Sequence, residues 1–227
     1  MSPLEISAVV TSIIGIWLST RRQISSWPVI LVSCVLYALV FRREKLYSDM
    51  LLQFVYFAFA IYGWWHWWRG SKEEGTVRVE RLSRQGLAAG LVVGAVGSFL
   101  LGFFMAHYTD AALPHIDAAL TSFSLVAQFW STRKHIANWW LWIVVDAIEI
   151  GVFLYKHLYL TSVLFAFLIF LAVLGLRAWR KALRDQELGH SGSLLVPIEL
   201  GSRGSGSTAI SAHARRATKS STEESSG

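Results

Sequence analysis

The chain has 227 residues, 54% of them apolar and only 16% charged, and a mean hydropathy of +0.45. That balance excludes an ordinary soluble domain and points to lipid as the solvent. The net charge of +6 does not imply nucleic acid, because Lys and Arg fall in short clusters between long apolar runs rather than along one stripe.

Met1 to Glu5 holds no Lys or Arg, and no small-residue cleavage site follows the first apolar run, so the first helix is expected to be retained. A bilayer core asks for roughly 20 apolar residues per helical crossing. Such stretches lie near 4–20, 27–42, 48–68, 86–107, 113–131, 138–155 and 159–179. Backbone groups in hydrocarbon must pair within their own segment, and the alternation of a barrel strand is absent. The expected fold is an all-α membrane protein with seven transmembrane helices. Cys34, the single cysteine, sits inside the second run as a small buried hydrophobe, which excludes a disulfide framework or a thiol redox pair.

With the N-terminus outside and the C-terminus inside, 17 of the 21 Lys and Arg residues fall on inner segments, in keeping with the positive-inside bias. Residues 1–184 then form the transmembrane domain. Residues 185–227, rich in Gly, Ser, Thr and charge, read as a disordered cytoplasmic tail.

The segment Ser19-Thr20-Arg21-Arg22-Gln23-Ile24 is echoed further along the chain as Ser131-Thr132-Arg133-Lys134-His135-Ile136. Carried on without a gap, the same offset pairs Trp27 with Trp139, Gly63 with Gly175 and Trp67 with Trp179, and fourteen of fifty positions are identical. Residues of about 4–68 and 113–180 are therefore read as direct, parallel repeats. The helix at about 86–107 restores the orientation between them, a 3+1+3 plan. Its Gly86, Gly90, Gly94, Gly97 and Gly102 form a small-residue face for close helix packing. Parallel repeats of this kind are a transporter architecture in which substrate binds between bundles that rock about it.

Polar side chains at mid-membrane are costly and usually face a cavity or a partner. Asp49, Gln53, Tyr56, Gly63 and Trp67 share one face of the third helix, Asp117, Thr121, Ser124 and Gln128 one face of the fifth, and the sixth adds Trp139, Trp142, Asp146 and Glu149. Trp65, Trp68 and Trp140 suit an interfacial belt, whereas Trp64, Trp67 and Trp142 lie with the polar stripes and can stack on a flat or cationic ring.

The motifs Asp49-x-x-x-Gln53-x-x-Tyr56, Gly63-Trp64-x-x-Trp67, Asn138-Trp139, Trp142-x-x-x-Asp146 and Lys156-x-Leu158-Tyr159-Leu160-Thr161 make residues 4–180 resemble the PnuC family of bacterial nicotinamide riboside transporters. Trp142 lies one position further from Asn138 than the family's motif would place it. The resemblance implies a SWEET-like fold in the bacterial inner membrane and facilitated diffusion of nicotinamide riboside, trapped afterwards by a separate cytoplasmic kinase. The candidate substrate site is Gln53, Tyr56, Trp64, Trp67, Gln128, Asn138, Trp142 and Asp146, with tryptophans holding the ring, amides the polar groups and Asp146 the positive charge.

Thiamine or another nucleoside is an alternative cargo, and Asp146 or Glu149 leaves proton coupling open. A membrane enzyme or sensor is the distant alternative. His66, His135 and His157 lie at separate helix ends without metal-ligand spacing, no phosphate loop is present, and neither metal nor cofactor is expected. The partners are then the solute and the lipid bilayer, with no nucleic acid and with a homo-oligomer left open.

Overall fold

The structure, a computed structural model, describes residues 3–43, 47–74, 77–109, 113–155 and 157–194. These hold seven α-helices: α1 Pro3–Thr20, α2 Ser26–Arg43, α3 Tyr47–Glu74, α4 Arg84–Tyr108, α5 Pro114–Thr132, α6 Ala137–Tyr155 and α7 Tyr159–Leu194. Five of them, α1, α2, α4, α6 and the Thr161–Leu188 part of α7, are long and apolar enough to cross a membrane by length and composition. In α3 and α5 hydroxyl, amide and ring polar groups lower the hydropathy.

The helices begin close to the hydropathy limits, but α3 and α7 run on to Glu74 and Leu194. Hydropathy marks where lipid ends, whereas a helix continues as long as its residues tolerate it in water. The start of the expected tail, 185–194, is therefore helical, and its remainder lies outside the described residues. One compact unit spans Met1–Gln186.

The glycine face of α4 packs on α5. Gly90 meets Trp130, Gly94 meets Phe123, Gly97 meets Ser122 and Gly102 meets His115, so a Cβ at any of these would crowd a side chain of α5. Gly86 instead sits over Leu82 and over Ser83, whose side chain caps α4 by accepting from the Gly86 N–H at 3.0 Å.

The sequence echo recurs in the geometry. Arg22 and Lys134 both take positive φ, 59° and 62°, and end α1 and α5 with the same pair of bonds. The Arg22 N–H donates to Ser19 O at 3.0 Å and Gln23 N–H to Leu18 O at 3.1 Å, while Lys134 N–H donates to Ser131 O at 3.0 Å and His135 N–H to Trp130 O at 3.0 Å. This is the Schellman closure, with a basic residue where glycine is usual.

Beneath these turns four buried indoles meet. Trp27 covers Gly63 and Trp139 covers Gly175. Trp27 stands edge-on to Trp67 (5.3 Å, 85°), Trp139 stands edge-on to Trp179 (5.4 Å, 87°), and Trp67 meets Trp179 at 5.8 Å. The indole N–H of Trp67 donates to Ser131 O and Thr132 O at 3.3 and 3.2 Å, and that of Trp179 to Ser19 O at 3.1 Å. Each repeat segment thus reaches the helix end of the other.

Residues 77–80, between α3 and α4, lie across the same end. Val77 O accepts from Arg22 Nη1 at 3.4 Å, and Gln186, in the amide orientation that satisfies both groups, donates to Val79 O and accepts from Val79 N. Glu80 N–H donates to Lys134 O at 3.0 Å and Glu80 O accepts from Ile136 N–H at 3.1 Å, a short parallel bridge to the α5–α6 turn. Val77 and Val79 are buried under this strap.

Replacing Gly175 by Leu should displace the Trp139 ring and lower stability by about 1–3 kcal/mol, read as a lower melting temperature in detergent; Gly151→Leu, at a glycine with nothing within 4 Å of an added Cβ, should not. A second expectation concerns His135, whose Nδ1 lies 3.8 Å from Glu80 Oε2. Burial holds its ring below the ordinary histidine value of 6.5, Arg133 pushes the same way, and Glu80 opposes them. A depressed folded value means that the contribution is complete above 6.5 and is lost as the pH falls below it. His135→Gln, which copies Gln23 at the matching position, should flatten the fall in melting temperature across that range.

Candidate functional site

A partly enclosed cavity of about 270 Å³ adjoins the indole cluster, sharing Trp139 with it, and is lined by residues of α1, α2, α3, α5, α6 and α7. Its size falls just below the range usual for pockets that take drug-sized ligands, so this is room for a small solute. Six pairs of lining residues stand at the repeat offset: Ile16 and Gln128, Ser19 and Ser131, Ile30 and Trp142, Cys34 and Asp146, Gln53 and Phe165, Tyr56 and Leu168. The cavity therefore sits where the repeat segments face each other.

Five of these six pairs carry unlike chemistry. The α3, α5 and α6 residues are Gln53, Tyr56, Gln128, Ser131, Asn138, Trp139, Trp142 and Asp146; those of α1, α2 and α7 are Ser12, Ile16, Ser19, Ile30, Ser33, Cys34, Tyr37, Phe165, Leu168 and Ala172. Ser12 and Ser33 of that second set turn their hydroxyls onto backbone carbonyls, Val9 O at 2.8 Å and Ala8 O at 3.4 Å. All the amides and the one carboxyl among the lining residues belong to α3, α5 and α6, while α1, α2 and α7 supply hydroxyls, a thiol, the Tyr37 phenol and hydrocarbon.

Two polar atoms of this lining are buried unpaired. Asn138 donates from Nδ2 to His135 O at 2.6 Å, but its Oδ1, like the Trp139 Nε1, is buried without a hydrogen-bond partner among the described residues. Native proteins rarely bury such groups unpaired. Asp146 is 5% exposed on α6, with Glu149 close enough to act on it electrostatically.

Of the residues expected from the sequence, Gln53, Tyr56, Gln128, Asn138, Trp142 and Asp146 line this cavity together. Trp64 and Trp67 are not among its lining residues. Trp64 is 41% exposed on the outer face of α3, and Trp67 is fully buried in the indole cluster, its N–H committed to the end of α5. Trp139, Ser12, Ser19, Ser33, Cys34, Tyr37 and Ser131 are among the additions the structure makes. Trp139 stood in the α6 stripe and could have been picked out from it; serines and a lone cysteine in apolar helices give no comparable signal. Asp49 is exposed and Asp117 half-buried, and neither lines the cavity. Among the described residues no group of three or more His, Cys, Asp or Glu side chains could hold a metal ion.

The family model described as nicotinamide mononucleotide transporter matches residues 2–181. The chain is 26% identical over 211 residues to the nicotinamide riboside transporter PnuC of Escherichia coli (strain K12), covering 82% of this chain and 88% of that protein. It is 27% identical over 145 residues to the riboflavin/roseoflavin transporter RibM of Streptomyces davaonensis, covering 62% of this chain and 67% of that one. The crystal structure of the vitamin B3 transporter PnuC superimposes with a TM-score of 0.64 at 27% identity, over 80% of this chain and 82% of that chain.

Because Cys34 is the one thiol and lines the cavity, alkylation by N-ethylmaleimide reports whether the space is free. Ile30→Trp, which copies Trp142 onto the opposite wall, should fill the cavity and slow that reaction several-fold in the folded, purified protein.

Proposed function

As the chain belongs to the nicotinamide mononucleotide transporter family, we propose that it carries nicotinamide riboside, by facilitated diffusion through the cavity between its repeats. It is a multi-pass transporter of the bacterial inner membrane, not an enzyme. The observation that carries the substrate assignment is the gathering of the cavity's amides, indoles and carboxyl on α3, α5 and α6. Nicotinamide riboside has a flat cationic ring with an amide at one end and a hydroxyl-rich sugar at the other, which asks for an aromatic face, a carboxylate and amide groups along one wall.

In this reading Trp139 and Trp142 pack against the pyridinium ring. Gln53, Tyr56, Gln128 and Asn138 bond its amide and hydroxyls. Asp146 supplies negative charge in a site where it is poorly screened. Trp67 acts at one remove, by fixing the Ser131 backbone from which the α5 wall begins, and Trp64 stays outside the set.

The transport cycle we propose uses all seven helices as crossings, with α1–α3 and α5–α7 as parallel triplets and α4 as the inverting link. Its N-terminus lies outside and its C-terminus inside. The indole cluster and the strap at 77–80 then close the cytoplasmic end, and the triplets rock to part them. Diffusion down a gradient needs no coupling ion, and net uptake depends on a separate cytoplasmic kinase that phosphorylates the riboside.

Calorimetric titration of nicotinamide riboside into the purified protein tests this. Gln128→Ala and Asp146→Asn should each weaken binding by about 1 kcal/mol, roughly five-fold, the worth of one hydrogen bond to a polar ligand. Riboflavin or thiamine binding in preference to the riboside would replace the substrate assignment, and uptake into vesicles that follows an imposed pH gradient would replace diffusion by proton coupling.

A further inference from the structure

A second concave surface lies apart from the cavity, at the end of the helices that carries the basic turns. It is a groove of about 580 Å³ between the segment leading into α4, the start of α6 and the late turns of α7. Arg81, Arg180 and Arg184 line it, and no carboxylate does; Leu82, Leu87 and Trp140 make its apolar side. Arg180 and Arg184 stand one helical turn apart on the same face of α7. The guanidinium of Arg180 sits over the Trp140 ring, 5.3 Å from its centroid, so the arginine is held by a stacking contact that leaves its N–H groups available along the ring plane.

We propose that this groove binds the phosphodiester headgroup of an anionic phospholipid. Charge complementarity selects the ligand: guanidinium forks match phosphate oxygens in geometry and charge, and basic pockets between membrane helices at the headgroup level are where such lipids lodge. The apolar side selects a lipid over a free anion. Leu87 and Trp140 are exposed, and the groove passes from arginine to hydrocarbon along α4 and α6, as a lipid passes from headgroup to acyl chain. The nearest internal comparison is the groove at the α1–α2 turn, where Arg21, stacked over the Trp17 ring at 4.3 Å, and Arg22 are joined by Asp185. A carboxylate there opposes an anion, so one of the two grooves is selective and the other is not.

Native mass spectrometry of the full-length protein in mild detergent, titrated with phosphatidylglycerol or phosphatidylethanolamine of matched chains, tests the site. The wild type should retain phosphatidylglycerol several-fold more strongly. The Arg180→Gln/Arg184→Gln double variant should lose that preference while Arg21→Gln keeps it. Equal retention of the two lipids by the wild type, which depends on no variant folding, overturns the proposal. So does an unchanged preference in the double variant, an equal loss in Arg21→Gln, or displacement of phosphatidylglycerol by inorganic phosphate, which would mark a site for a soluble anion.

Discussion

A helix that ends in a buried place leaves its last carbonyls without partners, and in lipid no water is at hand to take them. The ends of α1 and α5 are such places: Ser19, Ser131 and Thr132 are all buried. Each of the two serine carbonyls receives one bond from the N–H of its own turn and a second from an indole that belongs to the other repeat segment. That second bond joins the halves at the same point that completes the helix ends. The glycines at 63 and 175 follow from it, since the indoles at 27 and 139 need their missing side chains to bring the cluster close.

A scaffold so closely repeated would, with repeated side chains, make a cavity with two identical walls. The chain departs from its own repeat at five of the six paired lining positions, keeping only Ser19 and Ser131 alike. The framework residues, Trp27 and Trp139, Gly63 and Gly175, Trp67 and Trp179, are the same in both halves. Keeping the frame while diversifying the lining gives a repeated fold a cavity whose two sides differ in chemistry.

The repeat, the helix positions and most of the polar wall were legible in the sequence because they rest on periodicity, which a single chain displays. Tryptophan was the residue type that sequence could not sort. Trp64, Trp67 and Trp139 lie within helical runs of the same character, yet one faces outward, one seals the helix end of the opposite repeat and one lines the cavity. What separates them is the neighbour that each meets from a distant part of the chain, and no local pattern encodes that. The strap was invisible for a similar reason: Val77, Val79 and Glu80 look like an ordinary polar connection until Arg22, Lys134 and Gln186 are seen to hold it.

The exchange of indole bonds is of the sort that two identical subunits make across a twofold axis, each giving what it receives. Ser19 and Trp67 in the first segment are an acceptor and a donor, and Ser131 and Trp179 in the second are the same pair. On that view α4 contributes no part of the joint. It joins the two segments in one chain, which frees each side of the cavity to change independently of the other.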